Sequence, residues 1–108
     1  MAKLHLKYMI VHDTQEWPQD EVYMKIDGRQ VWSEGSVAVG DTLEIYKTFD
    51  ITGFSDKITL FEDDWWPNGD EDLGSHTVNI GEAGLVDQKA FFTQAGANYE
   101  LVYDVTLS

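Results

Sequence analysis

Apolar residues recur at every second position along most of this chain, while the three-and-four spacing of an amphipathic helix is nearly absent. From Lys3 to Val11, Leu4, Leu6, Tyr8 and Ile10 fall on one face and Lys3, His5 and Lys7 on the other, which is the pattern of a half-buried strand. A polar loop, His12 to Gln19, ends it. Asp20 to Trp32 reads as two strands joined at Asp27-Gly28, a pair suited to a two-residue hairpin turn in which both central residues need positive φ. Ser33 to Ser36 reads as a loop, and Ser36 to Val39 as a short strand or extended edge. After a turn at Gly40-Asp41, Thr42 to Phe49 sets Leu43, Ile45 and Phe49 on one face with the stem of Lys47. Beyond Thr52-Gly53, the strands Asp56 to Phe61 and His76 to Ile80 flank a long acidic segment. Leu85 to Phe92 fits either one or two helical turns or a broken strand. Ala97 to Leu107 alternates cleanly, with Tyr99, Leu101, Tyr103, Val105 and Leu107 inward. If it pairs with the first strand, its Glu100 and Asp104 face Lys3 and Lys7.

Short strands separated by turn signals, with no helix of ordinary length, predict an all-β fold: an antiparallel β-sandwich of seven or eight strands. A chain of 108 residues is long enough to bury its own core. With no repeat, low-complexity tract or linker, residues 1–108 read as a single domain. The hydrophobic share of 43% is that of a folded protein and not of an acidic disordered tail. There is no cysteine, which removes disulfides and thiol chemistry. The N-terminus lacks the apolar run of a signal peptide, and no stretch approaches the roughly 20 apolar residues that cross a bilayer, so a soluble protein without a transmembrane segment is expected.

Charge narrows the function classes. The formal net charge is −13, and neither Tyr8 to Met24 nor Ile58 to Gln88 contains a Lys or Arg. Such a field repels nucleic acid and attracts cations, which removes nucleic acid from the candidate partners. Half of the 20 acids lie in two places, four between Asp13 and Glu21 and six between Glu62 and Asp72. Both clusters lie between strands, and both contain Trp-Pro, at Trp17-Pro18 and Trp66-Pro67. Calcium takes about six to eight oxygen ligands on a flexible frame, so two such loops meeting at one end of a sandwich would suit it. The other reading is two solvated loops on an acidic protein.

The same residues resemble a known family. Asp20-Glu21-Val22-Tyr23-Met24-Lys25-Ile26 is similar to the Asp-Pro-Tyr-Val-Lys-Val signature that opens a strand in the C2 domain, the calcium-dependent phospholipid-binding β-sandwich. Asp13 precedes it near the place of that family's first calcium ligand. Glu62-x-Asp64, then Asp70, then Leu73-Gly74 follow the order of its second ligand loop. No proline follows Asp20, and Glu62 stands where aspartate is usual. The resemblance covers about half of the chain and implies a C2-like fold and calcium as cofactor. The implied ligands are Asp13, Asp20, Glu62, Asp64 and Asp70, with Asp63 and Asp72 as close substitutes. It also implies a calcium-dependent membrane surface as partner.

Trp17, Trp65 and Trp66 are candidate contact residues, able to sit at a lipid interface, to stack on a glycan, or to fold back into the core. A loop tryptophan beside proline is more often packed than displayed. Other chemistries find little support. Asp64 to Asp72 is not an EF-hand loop, because Trp66 occupies its third position and flanking helices are missing. His5, His12 and His76 lack metal-ligand spacing; His12 beside Asp13 could add a ligand, but a lone His near a loop reads first as a surface residue. Gly74-Ser75-His76 is not a nucleophile elbow, and carboxylates this dense single out no glycosidase pair. The expectation is a binding module and not an enzyme. It either binds calcium or acts without metal as a protein-interaction, structural or glycan-binding sandwich.

Overall fold

The computed structural model describes residues 2–63 and 69–107. Among the described residues eight strands follow one another: β1 Lys3–Asp13, β2 Asp20–Ile26, β3 Arg29–Val37, β4 Thr42–Asp50, β5 Ser55–Glu62, β6 Glu71–Asn79, β7 Gln88–Phe92 and β8 Asn98–Thr106. They make two antiparallel four-stranded sheets, ordered β4-β1-β8-β7 and β3-β2-β5-β6. The inward residues of both sheets form the core: Leu4, Leu6, Met9, Phe92, Tyr99 and Leu101 from one, and Val22, Met24, Ile58, Leu60, Leu73 and Val78 from the other. The antiparallel β-sandwich expected from alternation is therefore the fold, with eight strands.

The hairpin turn forms at Asp27-Gly28, with φ of 49° and 85°. Lys47 lies along the inward side of β4, and its ammonium donates to the Val31 carbonyl of β3 at 2.9 Å, tying one sheet edge to the other. β1 and β8 pair, and Lys7 reaches Asp104 at 3.6 Å. Lys3 instead meets Asp50 at 3.0 Å, and Glu100 accepts from His12 and Lys89 at 2.7 and 3.2 Å.

Four local expectations are corrected. Register shifts between Leu6 and Tyr8, so Met9 and Val11 become the buried residues and Tyr8 and Ile10 turn to the outer face. β3 runs unbroken through Ser33 to Ser36, because a shift between Asp20 and Val22 on β2 absorbs its extra residue. β6 begins at Glu71, so Glu71 and Asp72 belong to a strand and not to the loop. Leu107 lies beyond the end of β8 and is 73% exposed. The ambiguous segment resolves as strand from Gln88 to Phe92, paired with β8.

Antiparallel order carries the loops after β1, β3, β5 and β7 to one end of the sandwich. The β2–β3 turn, the β4–β5 and β6–β7 loops and the end of β8 lie at the other. Two inward tyrosines of β8 join the sheets near these ends. Tyr99 donates to Asp20 at 2.6 Å, and Tyr103 donates to Glu82 at 2.6 Å while its oxygen lies 2.9 Å from His76 Nε2.

The close approach of β6 to the chain at Phe92 depends on Gly74. Its φ is 128°, and a Cβ there would lie 3.3 Å from the Phe92 Cα. Gly74→Val is expected to cost about 3 kcal/mol in urea unfolding, through backbone strain and overpacking. At the opposite end Asp56 is almost wholly buried and accepts from the Thr52 hydroxyl and amide at 2.8 and 3.2 Å. Burial pushes its carboxyl above the ordinary value and neighbouring Asp27 adds to this, against the pull of the Thr52 bonds. An acid raised in the folded state loses stability as pH climbs from its unfolded pKa through its folded one. Asp56→Asn, which keeps an acceptor for Thr52, is expected to gain on the wild type as pH rises from 3.5 to 7. Urea midpoints measured across that range, about the unfolded value near 4, test this.

Candidate functional site

Asp20 opens β2 with no exposed surface, and the chain between β1 and β2 folds around it. Its Oδ2 accepts from the Gln15 amide at 2.7 Å and the Tyr99 hydroxyl at 2.6 Å, and its Oδ1 accepts from the Glu16 amide at 2.8 Å. Hydrogen bonds to both oxygens satisfy this buried carboxyl group. Glu62 closes β5 opposite Val22 and is only 3% exposed. Its Oε2 accepts from the Glu21 amide at 3.3 Å, and the Asp63 amide donates to the Glu21 carbonyl at 2.7 Å.

Asp41 lies in the β3–β4 loop at the same end of the sandwich. Its Oδ2 accepts from the Ala38 amide at 2.9 Å, while its carbonyl accepts from Val11 at 2.9 Å. Burial pushes the Tyr99 hydroxyl up, donation to Asp20 pushes it further, and the charges of Asp20, Glu62 and Asp41 act in the same direction. Of these three carboxylates, Asp20 alone bonds the hydroxyl. Beside them opens a concavity of about 350 Å³, bordered by Glu16, Trp17, Asp20, Glu21, Glu62 and Asp63.

The structure brings together Asp20 and Glu62 from the residues singled out in the sequence. Asp13 is exposed at the end of β1 and accepts from the Thr14 amide at 3.0 Å. Asp70 accepts from the Tyr23 hydroxyl on the outer face of its sheet. That hydroxyl is pushed up to about 12, first by burial and then by the bond to Asp70. Asp72 lies opposite Phe61 and accepts from the Gly74 amide at 2.8 Å. Asp64, Trp65 and Trp66 lie outside the described residues. Trp17 is displayed and not packed: it is 91% exposed, because the loop turns its backbone toward Asp20 and its ring toward water. Sequence reasoning passed over Asp41, whose Gly40-Asp41 context signals only a turn until topology places that turn beside the other two loops.

An all-oxygen set of carboxylates suits calcium more than a transition metal. Asp20 keeps lone-pair capacity on Oδ1, where one hydrogen bond is made. Among the described residues, no three Asp, Glu or His side chains form a group able to hold a metal ion.

No known family's sequence profile matches the chain, and no curated protein does. Among solved structures, human GIVD cytosolic phospholipase A2 in complex with methyl gamma-linolenyl fluorophosphonate is similar in fold, with a TM-score of 0.53 at 8% identity. The match covers 99% of this chain and 17% of that one. A likeness at this identity is one of architecture. Together with the two four-stranded sheets and the loop end they build, it makes this chain's fold a C2-like β-sandwich.

Proposed function

We propose that the chain is a calcium-binding interaction module, not an enzyme, which docks through its acidic loop end on a membrane, glycan or protein surface. The burial of Asp20 and Glu62 on the paired strands β2 and β5, beside one loop-end concavity, carries this reading. Like charges held together in a protein of net charge −13 favour a bound cation, and oxygen donors on loops favour calcium. Asp20, Glu62 and Asp64 would hold it, and Asp13, Asp70 and Asp72 would stay at the periphery. Bound calcium inverts the sign of the local field, which lets the loop end approach an anionic surface, and exposed Trp17 suits the interface between water and headgroups. The similar solved chain is named a phospholipase, which favours a phospholipid surface among these partners.

A second reading, a metal-independent interaction module, draws on a different observation. Asp20 already accepts three hydrogen bonds, and Asp13, Asp41 and Asp72 each accept a backbone amide. On that reading the acids serve as loop caps and solubilising charge.

Thermal unfolding separates the two. A ligand at about 100 times its Kd adds about 2.7 kcal/mol, which for a domain of this size raises Tm by roughly 10 °C. Millimolar calcium is expected to give a rise of that order with a change in tryptophan fluorescence, both reversed by chelator. Asp64→Asn is expected to abolish most of the response. No shift at millimolar free calcium leaves the metal-independent reading.

A further inference from the structure

The outer face of the β3-β2-β5-β6 sheet carries a second feature, separate from the buried carboxylates. Tyr23 and Phe61, paired across β2 and β5, stack with centroids 5.2 Å apart and planes 15° apart. The Lys25 ammonium lies 5.4 Å from the Phe61 centroid and 5.9 Å from that of Tyr23. Among the described residues it has no carboxylate within ion-pair distance, so the aromatic faces are what holds it. Alongside runs an open concavity of about 400 Å³ over β2 and β3, lined by Glu21, Glu34, Asp63 and Asp70 together with Tyr23 and Lys25. Among the described residues, four acids line it against one base.

We infer that this sheet face docks a lysine- or arginine-bearing extended segment of a partner protein. The charge of the groove complements such a segment, and the stacked rings already accept an ammonium group. An extended segment presents every second side chain to one side, so alternate cations can meet the acids on the rim. The same four acids repel phosphate headgroups, so this face is not a lipid surface. Nothing in the inference requires metal at the loop end, and its test is run in chelator so that it stands or falls apart from the calcium reading.

The probe is a fluorescein-labelled nonapeptide with lysine at alternate positions and threonine between, followed by fluorescence polarisation at low salt. A glutamate-threonine peptide and cellohexaose serve as comparison ligands. Wild type is expected to bind the lysine peptide and not the glutamate peptide. Glu34→Lys on the groove rim is expected to weaken binding about tenfold, whereas Glu44→Lys, the same charge reversal on β4 of the other sheet, changes it less than about twofold. Lys25→Gln removes the resident cation and is expected to tighten binding about threefold. Circular dichroism verifies that each variant is folded. Equal weakening by the two charge reversals would reduce the effect to general attraction and overturn the inference. So would absence of binding, weaker binding by Lys25→Gln, or displacement of the peptide by cellohexaose.

Discussion

The Tyr99 hydroxyl reaches across the core from one sheet to donate to Asp20 on the other, and the loop end of the sandwich is built around that contact. A buried carboxylate without partners would be expelled or protonated. Here Asp20 is held by the tyrosine and by two amides of the chain that leads into its own strand. The same bonds shape the β1–β2 loop, because Gln15 and Glu16 must turn their N–H groups inward to reach it. Trp17 follows those two residues and is thereby thrown outward. One interaction thus joins the two sheets, fixes a loop and displays an aromatic ring.

Its consequence is an end of the molecule where negative charge is concentrated and partly dry. Glu62 arrives there because β5 pairs with β2 with Glu62 opposite Val22, and Asp41 because the β3–β4 loop closes over Val11. The other tyrosine of β8 makes the comparison useful. Tyr103 also donates to a carboxylate, Glu82, but there His76 shares the hydroxyl and Glu82 caps the Asn79 amide, so that end is a tie between elements. Around Tyr99 the neighbours are further acids.

The alternation of β8 and the Asp27-Gly28 turn made much of this fold legible in the sequence. Period-two patterning failed where a bulge changes which residues face inward, at Leu6 to Tyr8 and opposite Ser33 to Ser36, since an extra residue leaves no compositional mark. The acidity of Glu71 and Asp72 argued for loop, yet hydrogen bonding to β5 wins because both side chains can keep clear of the core there. At the loop end, the places of Asp20 and Glu62 were legible because each stands at the end of a strong strand pattern. The bond from Tyr23 to Asp70 was not legible, since it joins residues 47 positions apart across the outer face of the sheet. Asp41 became visible only once strand order had placed its loop.

The central claim, that Asp20 and Glu62 at the loop end help hold a calcium ion, is tested most directly by long-wavelength anomalous diffraction from a crystal grown in millimolar calcium. The account predicts an anomalous peak at the loop end within about 2.3–2.6 Å of oxygens from Asp20 and Glu62. A calcium-saturated crystal with no peak there, and Asp20 still bonded only to Gln15, Glu16 and Tyr99, would contradict it.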